Sequence, residues 1–151
     1  MLTGKRITLA ITGSVAAYKT IDLCRSLIKK GAELNIVMSK SAQQFIGPIT
    51  FSALCGTQPI TDLYEGGFPH IQAGQDIDLL VVAPATANTI AKLAGGIADD
   101  IVSTTVMASD CPVIICPAMN EKMWLSKATV RNTLTLSSWG YEIIGPKTGS
   151  L

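Results

Sequence analysis

Asn120 lies in the stretch Cys116-Pro117-Ala118-Met119-Asn120-Glu121-Lys122-Met123-Trp124, directly after the apolar run 113–115. That run reads as a buried strand, and the proline that follows has no N–H to give a ladder, so the strand ends there. Asn120 then falls where a helix takes its cap. This sets a carboxamide at the carboxyl edge of a sheet, where open α/β folds bind ligands. From the residues alone, the stronger reading is an ordinary helix start, with Asn120 only a cap and Met119, Met123 and Trp124 filling core. His70 is the only histidine of the chain. On general grounds a lone loop histidine is more often solvated than a proton-transfer group.

A second chemical stretch is Gly13-Ser14-Val15-Ala16-Ala17, between the apolar run 7–11 and a helical pattern. Free N–H groups and the helix dipole at such a turn suit a phosphate. One glycine is too few for the dinucleotide fingerprint. The second strand, 34–38, ends at Met38-Ser39, where a nicotinamide enzyme places an acid for the ribose. Both departures point to a mononucleotide.

The elements that must position these residues alternate. Strands are expected at 7–11, 34–38, 79–83, 113–115 and 141–144, with Pro84 closing the third. Helices are expected from Tyr18 to Lys30, over 87–94, over 101–108 with Asp99 or Asp100 at the start, and over 127–138. In the first helix, Tyr18, Ile21, Cys24, Leu27 and Ile28 share the buried face. A helical turn after Ser39-Lys40-Ser41, a short helix over 48–55, a brief strand over 59–64 and a loop over 66–70 complete the reading. Alternation of this kind makes a single α/β domain, a doubly wound parallel sheet.

Charged residues make up only 15% of the chain, against about a quarter in ordinary domains, so part of the surface is expected to meet other subunits. With 12 Lys+Arg, 11 Asp+Glu and no basic run, the footprint of a nucleic-acid or anionic-lipid binder is missing. Cys24, Cys55, Cys111 and Cys116 form no CxxC pair, which argues against zinc and for buried free thiols in a reducing compartment. No apolar run is long enough for a signal peptide or a membrane span, so a cytoplasmic location is expected.

Pro117-Ala118-Met119-Asn120 with Met123-Trp124 resembles the PxMNxxMW signature of the flavin-containing cysteine decarboxylases, and Gly13 to Lys19 resembles their flavin phosphate loop. Ser39-Lys40-Ser41 with Phe45, and Ala83-Pro84-Ala85-Thr86-Ala87-Asn88-Thr89, are similar to two further flavin segments. His70-Ile71 followed by 78–84 is similar to the segment bearing the active-site histidine, with Ala73 a small departure.

The resemblance implies a Rossmann- or flavodoxin-like flavoprotein that uses FMN to oxidise a cysteine thiol to a thioaldehyde, which then loses CO2. The phosphopantothenoylcysteine branch is the nearest, with phosphopantothenoylcysteine as substrate in coenzyme A biosynthesis. FMN contacts are then expected from Gly13, Ser14, Val15, Ser39, Ser41, Phe45, Thr86, Asn88, Thr89 and Ala118. His70 handles the thiol proton, Asn120 binds the substrate carboxylate, and Met119 and Met123 shape the pocket. The resemblance also implies a homotrimer or a multiple of it, a fused synthetase domain beyond residue 151, and a substrate flap that begins near 145–151 and carries a cysteine absent here. Decarboxylation of a peptide's C-terminal cysteine, prenyl transfer to FMN and a non-catalytic flavin-binding subunit are the alternatives.

Overall fold

A computed structural model of the chain describes residues 1–147; of the stretch expected to open a flap, 148–151 lie outside the described residues. Five strands, β1 (Arg6–Ile11), β2 (Glu33–Met38), β3 (Leu79–Ala85), β4 (Val113–Pro117) and β5 (Glu142–Ile143), form one sheet in the order β2-β1-β3-β4-β5. Every pairing is parallel. The chain turns from one winding direction to the other between β1 and β3, so the carboxyl ends of these two strands diverge into a crevice.

The helices are α1 (Thr20–Lys29), α2 (Pro48–Cys55), α3 (Pro69–Gly74), α4 (Ala87–Gly95), α5 (Ile101–Ala108), α6 (Glu121–Trp124) and α7 (Lys127–Ser138). Two shorter 3-10 turns, Val15–Lys19 and Ala42–Gln44, follow β1 and β2. Two apolar layers sandwich the sheet. One gathers Leu9, Ile11, Ile36 and Met38 under Cys24 of α1 and Phe51 of α2. The other gathers Ala10, Leu80, Val82 and Ile115 under Ala73, Ile90, Leu93, Val102, Val106 and Leu136. On that second face α5 packs between α3 and α4, and α7 packs against α4.

Four local expectations are corrected. Pro84 lies inside β3 rather than closing it; the ladder with β4 shifts register between Val82 and Ala85, which accommodates a residue without an N–H. The segment 66–70 is not all loop, because Pro69 starts α3 and His70 is its second residue, a position where proline's fixed φ suits a helix and its missing N–H costs nothing. The stretch 59–64 contributes one bridge, Ile60 to Val37, and no strand. Tyr18 belongs to the 3-10 turn and is 53% exposed, and Ile28 is also exposed, so within one chain α1 buries a narrower face than its apolar spacing suggests.

The thiols are free, and Cys24 is the one fully buried. Burial, then the neighbouring Cys55, pushes its pKa up to about 12. Cys116 lies within β4 rather than flanking it, and Cys55, Cys111 and Cys116 are half-buried.

Candidate functional site

Thr12 ties the crevice together. Its N–H and its hydroxyl both donate to Pro84 O, at 3.3 and 2.6 Å, while the hydroxyl oxygen accepts from Thr86 N at 3.1 Å. The turns after β1 and β3 are thereby held side by side, with Thr12 itself 1% exposed. Nothing in the residue pattern singled out Thr12; its only signal was a β-branched hydroxyl residue directly before the glycine of the turn.

Gly13 and Ser41 touch: a Cβ at Gly13 would overlap Ser41 Cβ, so the turns after β1 and β2 close on each other only because position 13 is glycine. Ser14 Oγ accepts from Ala16 N at 3.2 Å, and Ser39 Oγ accepts from Ala42 N at 3.1 Å. Ser14 thus caps the first 3-10 turn, Ser39 steadies the start of the second, which Ser41 opens, and both Ser14 and Ser39 keep their hydroxyl protons available. Among the described residues no backbone bond engages the N–H of Gly13 or Val15. Two unpaired N–H groups, two hydroxyls and the Ser41 hydroxyl at the converging turns form a cradle of the kind that holds a phosphate. Val15 and Phe45, 46% and 52% exposed, rim it with apolar surface.

Beyond the crevice, Thr86 caps α4, accepting from Thr89 N at 3.1 Å with the two hydroxyls 3.1 Å apart. Ala118 N donates to Ala85 O at 3.0 Å, which sets the 118–123 turn directly beside the start of α4. Between α4, α6 and α7 lies an open cleft of about 520 Å³, lined among others by Asn88, Asn120, Met123, Ser126 and Asn132. Asn120 caps α6: its Oδ1 accepts from Met123 N at 2.9 Å. With the oxygen committed, the exposed carboxamide has only its NH2 left for a ligand, and that group is a donor. A carboxylate is the complementary partner. Met119 packs half-buried against the core below, while Met123 lines the cleft.

His70 lies elsewhere. Its ring stands edge-on to Phe68, centroids 6.3 Å apart, and its Nδ1 is buried without a hydrogen-bond partner among the described residues. A buried nitrogen left unpaired is costly unless a ligand or solvent completes it. His70 is not among the cleft-lining residues. The helix that carries His70 packs mainly on α5, whereas α4, beside the Asn120 turn, packs on α7 and α5. The structure thus joins Asn88, Asn120 and Met123 in one cleft and Gly13, Ser14, Val15, Ser39 and Ser41 in one cradle, with Thr86, Thr89 and Ala118 between. It does not bring His70 of the same chain to Asn120.

The sequence model of the Flavoprotein family matches residues 1–151. The chain belongs to that family. It is 44% identical over 153 residues to the coenzyme A biosynthesis bifunctional protein CoaBC of Vibrio vulnificus, covering 98% of this chain and 38% of that protein. The chain thus spans well under half the length of the curated relatives it matches. Among solved structures, the FMN-dependent cysteine decarboxylase SpaF superposes with a TM-score of 0.94 at 38% identity, covering 99% of this chain and 88% of that one. A phosphopantothenoylcysteine (PPC) decarboxylase mutant, C175S, complexed with pantothenoylaminoethenethiol, gives 0.82 at 31% identity, covering 95% and 82%. Among the described residues no helix is long and apolar enough to cross a membrane.

Proposed function

We propose that the chain is the FMN-dependent decarboxylase that converts phosphopantothenoylcysteine to phosphopantetheine in coenzyme A biosynthesis. The observation that carries this reading is the Asn120 carboxamide, oxygen locked by the α6 cap and NH2 free, in a cleft that shares the start of α4 with the β1–β3 crevice. The phosphopantothenoylcysteine decarboxylase relatives support it.

The groups that line the crevice suit FMN. The 13–15 and 39–41 turns would hold its phosphate, and Thr86, Asn88, Thr89 and Ala118 would border its ring. When bound, FMN supplies the two-electron acceptor that a cysteine needs, since a plain cysteine carboxylate has no neighbouring carbonyl to take the electrons left by CO2. The protein's share is orientation and proton handling. Asn120 Nδ2 fixes the carboxylate, Met123 shapes the pocket around the side chain, and His70 takes the thiol proton.

Because His70 does not line the cleft of its own chain, His70 acts on a substrate held by a second copy. Any closed ring of such contacts would complete each site, and the homotrimer is the one the family resemblance implies. The sparse surface charge and the exposed Val15, Tyr18, Phe45 and Ile49 around the cradle suit burial at such an interface. A synthetase domain beyond residue 151, a flap starting near its end and a cytoplasmic setting belong to the same proposal.

The likeness to the peptidyl-cysteine decarboxylase EpiD, 25% identical with a TM-score of 0.86, favours a second reading, decarboxylation of a peptide's C-terminal cysteine. Purified protein should show flavin absorbance and release CO2 from phosphopantothenoylcysteine. Release from a cysteine-terminated peptide alone transfers the assignment to the second reading, and colourless protein that ignores added FMN overturns both.

A further inference from the structure

The cleft holds a polar group that neither the FMN crevice nor the Asn120 turn accounts for. Asn132, on the second turn of α7, is 7% exposed and lines the cleft opposite α4. Its Oδ1 accepts from Arg131 Nε and Nη2, at 3.3 and 3.2 Å. A guanidinium donates only, so this pair settles which end of the carboxamide is oxygen. The remaining group, Nδ2, is a donor with no acceptor among the described residues. The side chain is largely buried while its Nδ2 remains reachable from the cleft, so this donor is free to meet a ligand.

The wall around it is selective. Ala87, Ala91 and Ala128 supply small apolar surface, and the carboxamides of Asn88 and Asn120 stand on the neighbouring helices. Donors separated by methyl-sized patches match an arm of amide groups joined by short aliphatic spacers. They match a bare anion or a purely hydrocarbon chain poorly.

We propose that Asn132 is a specificity-determining residue whose Nδ2 donates to the carbonyl oxygen of a secondary amide in the arm attached to the reacting cysteine. This deepens the reading above and rests on it. A pantothenoyl arm and a peptide backbone both present that carbonyl, and the substrates of the test tell them apart. The role was not legible beforehand, since Ala128, Thr129 and Asn132 share a helical face by spacing, but only the fold shows which cleft that face meets.

The test uses FMN-loaded protein carrying Asn132→Asp, which keeps an acceptor for Arg131 and replaces the donor, and Asn132→Ser as a smaller neutral variant. Loss of one hydrogen bond to a desolvated carbonyl should raise KM about tenfold for the substrate whose amide sits there, with kcat falling by less. Calorimetric titration of pantetheine, a bare amide-bearing arm, onto wild type and both variants reads the same contact without turnover. The expected result is a similar loss of affinity with the melting temperature retained. Unchanged KM for phosphopantothenoylcysteine and for a cysteine-terminated peptide overturns the proposal, as does equal pantetheine affinity in all three proteins. If wild type turns over neither substrate, the functional reading fails by itself, and the pantetheine titration still decides the role of Asn132.

Discussion

At the scale of single residues, the site works by committing one end of a side chain to the fold and leaving the other end for chemistry. Asn120 spends its oxygen on Met123 N, so an aspartate there would cap the helix as well or better while losing the donor and setting a negative charge against the carboxylate proposed to bind there. Asn120→Asp is expected to retain FMN and its melting temperature and to lose about a hundredfold or more in turnover, in line with removal of a preorganised donor. Steady-state assay beside the flavin spectrum checks this; equal loss of flavin and turnover would place Asn120 in the cofactor site instead. The capping position of Asn120 could be read from a strand, a proline and the next polar residue. The Thr12 knot and the Asn132 donor could not be, because the partner of Thr12 lies 72 residues away on another strand, in Pro84, and the cleft that Asn132 meets is set by the packing of α7 on α4.

At the scale of elements, the turn between α4 and α5 concentrates charge. Asp100 caps α5 through Ser103 N at 2.7 Å, Ser103 Oγ returns a bond, and Lys92 of α4 reaches both Asp99 and Asp100 at 2.8 Å. Burial alone would raise the Asp100 carboxyl, but the bonds from Lys92 and Ser103 outweigh it and hold its pKa below the ordinary value. A carboxyl depressed in the folded state adds stability above its unfolded pKa, about 3.9, and that contribution fades as pH falls through the lower folded value. Asp100→Asn keeps a capping side chain and removes the charge. It should lower stability near neutral pH by about 1 kcal/mol and flatten the acid limb of the melting temperature against pH below about pH 4. An unchanged acid limb would refute the assignment. The cap was legible here because Asp before an apolar helical run is a strong local signal. The start of α3 was not, since two glycines and a proline before His70 read as a loop until the packing of Gly74 against α5, where a Cβ would meet Thr105 O at 2.8 Å, is known. Parallel strands were the easiest elements to read, being continuous apolar runs buried on both faces; β3 ran past its proline because the register shift there depends on a neighbour.

At the scale of the whole molecule, the proposal that His70 serves a cleft on a second subunit makes a direct prediction. Co-expressed subunits carrying His70→Asn and Asn120→Asp, each inactive alone, should recover about a quarter of wild-type turnover on equal random mixing, since one shared site in four then has both intact side chains. Absence of recovery in a verified mixed oligomer would show that each chain carries a complete site. The tie at Thr12 carries a further implication. One hydroxyl is shared by the turn proposed to cradle the phosphate and the turn that borders the cleft, so neither can drift without pulling on the other. Loading the cofactor should therefore quieten the backbone on the substrate side, and hydrogen exchange at the start of α4 becomes a gauge of whether the far end of the crevice is filled.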